Sequence, residues 1–296
     1  MITADDWGWR YAGRGAWAVR GVSFRIEDGE RVLLLGASGS GKSTLLGALA
    51  GVLGGADEGT ETGQLLIDGR HPSRVRGRVG LVMQDPESQV VLGRVGDDVA
   101  FGCENLGVPP GEIWPRVRAA LDAVSLPLPL EHPTRALSGG EKQRLAIAAA
   151  LAMQPGVQRG RLSAGPVPPT TGRPAGTSPI LCLDEPTANL DAQGIRGVRE
   201  AVGHVVADRR TTLIVVEHRV DLWADLVDRV IVLGDGEVIA DGPVDRVLHD
   251  QARALLAAGV WVPGVPTGLT RRATPASPGA VLTTAHLGTG YEASEP

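Results

Sequence analysis

Lysine is nearly missing from this chain: of 29 basic residues only Lys42 and Lys142 are lysine, and the rest are arginine. With 41 glycines and 21 prolines alongside, the bias reads as one imposed from outside function. A lysine that survives it points to a place where a compact ammonium does what a planar guanidinium does not. Cysteine is scarce too, with Cys103 and Cys182 alone. Cys182 lies in an apolar strand-like run and reads as core packing in a reducing cytosol. Net positive charge is absent: the formal charge is −5, which argues against a broad electrostatic surface for nucleic acid. No apolar run approaches the roughly 18 residues needed to span a bilayer. The opening "MITADDWGWR" has no basic stretch followed by an apolar one, so no signal peptide is expected.

What is present suits a soluble globular protein, with 43% hydrophobic and 21% charged residues in 296. That length allows one large domain or two small ones and a substantial core. Several short apolar runs recur. "RVLLLG" runs into Gly36, "VGLVMQ" ends at Gln84, "ILCLDE" at Asp184 and Glu185, "TLIVVEH" at Glu217 and His218, and "VIVLGDG" breaks at Gly234. Unbroken Leu/Ile/Val runs suit strands buried on both faces of a parallel sheet, with helices between them such as 43–50 and 193–206. In open α/β sheets ligands bind beyond the carboxyl ends of the strands, so these polar endings are expected along one edge.

"GASGSGKST", Gly36 to Thr44, follows such a strand and opens a helix, matching G-x-x-x-x-G-K-[ST]. Gly36, Ser38, Gly39 and Gly41 let the backbone N–H groups wrap a phosphate at a helix start. Lys42 brings charge to the β- and γ-phosphates, and the Ser43 hydroxyl is a ligand for Mg²⁺. In "ILCLDEPTANLD", Asp184 ends a strand where a carboxylate holds the same ion, and Glu185 is placed to polarise an attacking water as general base. "LSGGEKQRLAIAAALAM", 137–153, opens a long helix on a Ser-Gly-Gly turn, a second anion site. Taken alone it is a capped surface helix. Beside a phosphate loop it implies a different nucleotide, carried by another subunit.

From about Tyr11 to about Leu248 the chain resembles the ATP-binding subunits of ABC transporters. The phosphate loop, "LSGGE", "LCLDEP", "ANLD" and His218 occur in that order. The resemblance implies an α/β P-loop fold of the ABC type: a mostly parallel core sheet flanked by helices, an antiparallel β subdomain and a helical signature subdomain. It implies that Tyr11 stacks on adenine, that Gln84 senses Mg²⁺ and the attacking water, and that His218 contacts the γ-phosphate. Ser138, Gly139 and Gly140 hold the partner's γ-phosphate in trans, and Asp191 lies at the dimer seam. Position 141 is Glu where Gln is frequent, a departure not expected to abolish binding. ATP and Mg²⁺ are the implied cofactors, and a competent ATPase is expected.

"LVMQDPESQVV", with its second glutamine Gln89, "VGDDVAFGCENLGVP" and "VEHRVD" are similar to the ATPases of energy-coupling factor importers, which take up vitamins and transition-metal ions. The implied partners are a second ABC ATPase subunit or domain and a membrane-embedded coupling subunit, at the cytoplasmic face of the membrane. The segment after Gln84 faces that partner. Another ABC transporter, including efflux, and a soluble ABC protein are the alternatives; the acidic single cassette disfavours the last.

The expected ABC ATPase domain covers 1–250, with a helical subdomain at about 90–154. A mobile, catalytically neutral Pro/Gly-rich insertion is expected at 155–179. A linker or tail follows at 251–280. "LTTAHLGTGY", 282–291, aligns with "ITADDWGWRY", 2–11, at Thr3, Gly8 and Tyr11. Residues 281–296 are therefore read as the start of a truncated second cassette, expected to be disordered.

Overall fold

The computed structural model describes residues 1–54, 57–75, 77–153, 178–257 and 259, all in the first of two units, Met1–Val265. The chain starts with strands β1 (Ile2–Tyr11), β2 (Val19–Ile26) and β3 (Arg31–Gly36), helix α1 (Lys42–Leu49), then β4 (Gly59–Ile67) and β5 (Val79–Val82). Three helices follow: α2 (Val95–Asn105), α3 (Pro110–Ala123) and α4 (Gly139–Met153). Then come β6 (Ile180–Asp184), α5 (Ala192–Val206), β7 (Thr212–Val216), α6 (Val220–Trp223), β8 (Arg229–Gly234), β9 (Glu237–Pro243), α7 (Val244–Asp250) and α8 (Ala252–Ala257).

A six-stranded sheet runs in the order β5-β6-β7-β3-β8-β9, parallel except for β9. Its apolar runs do not alternate with polar residues because both faces are covered. Along β3, Leu33 and Leu35 join a core shared with α2 to α5, while Val32 and Leu34 join a second core. The same division recurs in β6, where Leu181 and Leu183 face the first core, and Ile180 and Cys182 the second. Cys182 is thus core packing, as its sequence context predicts, and burial pushes its thiol pKa well up.

The second core is closed by α1 and by a three-stranded antiparallel sheet, β2-β1-β4. Trp7 and Trp9 of β1 are buried there, and Trp7 Nε1 donates to Glu61 Oε1 at 2.7 Å. The first core is helical. In α5, Val198, Ala201, Val202 and Val205 recur at helical spacing and are buried, and Asp191 caps the helix by accepting from Gly194 N at 2.7 Å.

Ser178 and Pro179, which close the tract expected to be mobile, are buried, and Ser178 O accepts from Arg78 Nη1 at 2.8 Å. Packed structure therefore resumes earlier than expected. The rest of that tract, and the stretch 281–296 read as a second beginning, lie outside the described residues.

At the amino end of β3, Arg31 grips Asp228 through Nε at 3.0 Å and Nη2 at 2.7 Å, and Arg209 Nη2 adds a contact at 3.1 Å. The Arg31 hydrogen bonds, partly offset by burial, hold the Asp228 carboxyl below its ordinary range. A depressed native pKa stabilises above the unfolded value, about 3.9, and that stability is lost as pH falls through the native value. Urea unfolding of Asp228→Asn at pH 7 is expected to show a loss of about 2 kcal/mol. The difference from wild type should shrink below about pH 3.9.

Candidate functional site

The parallel strands end level. Asp184 and Leu34 both stand opposite Val216, Leu183 opposite Val82, and Gly36 opposite Leu233. The loops carrying Gly36–Thr44, Gln84, Asp184–Glu185 and Glu217–His218 therefore leave one edge of the sheet, the edge the sequence predicts.

The phosphate loop enters α1 through Gly41, whose φ of 98° is open to glycine and costly for other residues. A Cβ there would stand 2.4 Å from Ala18 O, so the position is closed to side chains on packing grounds as well. Above Gly39 the loop is open, with nothing within 4 Å of where a Cβ would stand, and Ser38, Gly39 and Ser43 are exposed. Lys42 is buried, and its Nζ donates to the carbonyls of Gly36 and Ala37 at 2.8 Å each. Burial lowers its pKa, opposed by the charges of Glu185 and Asp184. The ammonium thus sits in the loop facing two carboxylates. Triphosphate oxygens and a divalent cation fit this open, glycine-lined cradle.

Burial raises the Asp184 pKa, countered by a hydrogen bond from the Ser43 side chain. Ser43 and Asp184, named as cation ligands from sequence, are therefore direct neighbours. Glu185 has φ 46°, a strained value for a non-glycine residue, and its N–H donates to Val216 O at 2.9 Å. His218 Nε2 bonds Glu185 Oε1 at 2.9 Å. Tyr11 OH lies 3.2 Å from Thr44 Oγ1, and the Arg14 guanidinium stands over the Tyr11 ring at 5.6 Å.

Gln84 is exposed just beyond β5. The loop that carries it is closed by Gln89, whose Oε1 accepts from Met83 N at 2.9 Å and whose Nε2 donates to Met83 O at 3.0 Å. Glu87 pairs with Lys142 of α4, which ties this loop to the signature helix. Asp98, buried in α2, accepts from Val91 N and Leu92 N at 2.8 Å each, and Thr134 Oγ1 donates to Leu92 O at 2.8 Å. The stretch after the glutamine loop is thereby fastened to the stretch before the signature. Sequence reasoning found Gln89 only as a point of resemblance and Lys142 only as a surviving lysine. It missed Asp98, which reads as one more acidic residue in a helix's first turn.

Ser138, Gly139 and Gly140 lie elsewhere. With Asn189, Leu190 and Asp191 they line a basin of about 720 Å³ that no phosphate-loop residue of the chain lines. Ser138 and Glu141 form a capping box: Glu141 Oε2 accepts from Ser138 N and Oγ at 2.8 Å each, which holds its pKa down. The glutamate that replaces the frequent glutamine keeps the helix start capped. A Cβ on Gly140 would lie 2.7 Å from Gly194 Cα, so this glycine also sets how closely α4 approaches α5.

A family model described as "ABC transporter" matches residues 19–158. An energy-coupling factor transporter ATP-binding protein of Ligilactobacillus salivarius is 34% identical over 268 residues, covering 89% of this chain and 84% of that protein. A putative ABC transporter ATP-binding protein of Methanosarcina acetivorans is 37% identical over 260 residues, 86% of this chain and 39% of that protein, so the chain spans about two fifths of that relative's length. The solved structure of cbiO1 from Clostridium perfringens, part of the ABC transporter complex cbiONQ, matches with a TM-score of 0.67 at 29% identity. It covers 86% of this chain and 94% of that one. The chain belongs to the family of ABC transporter ATP-binding proteins. Its fold is the ABC type of P-loop α/β domain expected from the motifs. Among the described residues no helix is long and apolar enough to cross a membrane.

Because the Gly140 clash is with backbone, it cannot be relieved by a rotamer change. Gly140→Ala is expected to lower stability by roughly 1–3 kcal/mol, the range for overpacking, in thermal or urea unfolding without nucleotide.

Proposed function

We propose that this chain is the ATP-hydrolysing subunit of an energy-coupling factor transporter. It drives import of a vitamin or a transition-metal ion through a membrane-embedded coupling subunit, bound at the cytoplasmic face. The observation that carries this reading is the gathering of the Lys42 loop, Asp184 and the Glu185–His218 pair on one sheet edge, with the Ser138 basin apart from it. A half-site of each kind on one chain calls for a second ABC subunit or domain, identical or not, to complete both. Support for the energy-coupling factor type comes from the Ligilactobacillus likeness and from the Gln89-closed loop.

In this reading Tyr11 holds the base, and the N–H groups from Gly36 to Thr44, with Lys42, hold the phosphates. Ser43, Asp184 and Gln84 would hold a magnesium ion, which would supply positive charge to the phosphate oxygens. Glu185 accepts a proton from water as its oxygen attacks the γ-phosphorus and the bond to the ADP oxygen breaks. His218 fixes the Glu185 carboxylate and reaches the γ-phosphate. Ser138, Gly139 and Gly140 close on the γ-phosphate of the partner's ATP, with Asp191 at the seam. The segment after Gln84 is the face offered to the membrane subunit, and dimer closure moves it.

Glu185→Gln should bind ATP as wild type does and lose about 10²-fold or more in turnover. It should also elute as a dimer with ATP in size-exclusion chromatography; unchanged turnover in this variant contradicts the reading. Affinity purification from membranes should recover a membrane-embedded coupling subunit, and the complex should be assayed for bound vitamin or metal. Recovery of the membrane protein of an efflux system points to the runner-up.

A further inference from the structure

We propose that Glu217 is a positioning residue for ATP hydrolysis, whose buried carboxylate holds His218 and the turn bearing Glu185 in register with each other. The inference rests on the ATPase reading above. Glu217 is only 4% exposed, and no cation pairs with it among the described residues. A buried carboxylate without a counter-charge is costly unless hydrogen bonds satisfy it. Here three donors do so. Oε1 accepts from Thr187 N at 3.2 Å and from Thr187 Oγ1. Oε2 accepts from His218 N at 3.1 Å.

The two anchors are the ones the chemistry needs. Thr187 lies two residues after Glu185, in the turn where Ala188 N donates to Glu185 O at 3.0 Å. His218 follows Glu217 and reaches Glu185 Oε1 at 2.9 Å. A closed ring results: Glu185 to Thr187 along the chain, Thr187 to Glu217, Glu217 to the His218 backbone, and the His218 ring back to Glu185. Both oxygens of Glu217 are engaged inside this ring. Its task is geometric: an acceptor of the right length spans two loops that leave neighbouring strands, β6 and β7.

The test is Glu217→Gln, which keeps the shape but turns one acceptor into a donor. Whichever way the amide sits, one anchor then meets an N–H instead of an oxygen. We expect kcat to fall about tenfold with KM for ATP unchanged within about twofold, the pattern of an interaction that matters in the transition state. In a His218→Ala background the same change should cost less than about threefold, because Glu217 acts through His218. Wild-type kcat in Glu217→Gln, or an equal loss in both backgrounds, overturns the proposal. Should that variant not fold, Thr187→Val removes one donor at constant shape and should show the same split, and an unaltered kcat there also overturns it. The His218 ring ¹⁵N signals, which report the Nε2 hydrogen bond without any turnover, should move in Glu217→Gln in nucleotide-free protein. Unmoved signals count against the ring. A wild type without ATPase activity but with moving ¹⁵N signals would fail the functional reading alone.

Discussion

The burial of the central sheet on both faces governs the rest of the molecule. The apolar residues of β3, β6, β7 and β8 point alternately into two apolar cores, so a polar side chain in the middle of a strand has no solvent to meet. Chemistry is thereby confined to the strand ends, and the parallel register brings those ends level along one edge. Three polar groups at that edge have partners within the chain. Lys42 has two carbonyls, Asp184 has Ser43, and Glu217 has Thr187 and His218.

The two cores also divide the work. The core beneath the antiparallel sheet holds the phosphate loop's helix, and the helical core holds the signature helix. On the helical side, Glu87 to Lys142 ties the glutamine loop to the signature helix, Gln89 to Met83 closes that loop, and Asp98 fastens the backbone at Val91 and Leu92.

Much of this was legible in the residues. The unbroken apolar runs announced a sheet covered on both sides, and the phosphate loop, "LCLDEP" and "LSGGE" fixed the edge on which it works, because such motifs owe their geometry to short local spacing. What the sequence could not disclose were bonds spanning long separations: Lys142 to Glu87, Thr187 to Glu217, Asp98 to the loop before it. Glu217 looked like one more polar residue closing a strand. Gly140 looked like a phosphate contact alone, and its second duty, the approach of α4 to α5, became visible only with Gly194 beside it. Glu141 looked like a departure, yet its bond to Ser138 explains why an acidic side chain is tolerated at a helix start.

The scarcity of lysine has a consequence for how the protein can be watched. The chain carries two lysine amines. One is cradled by the carbonyls of the phosphate loop and the other is held against the glutamine loop by Glu87. An acylating reagent thus finds only two lysine side chains, each held in a contact within the chain. Peptide mapping of acylated protein would report on the two contacts separately, with no label engineered in.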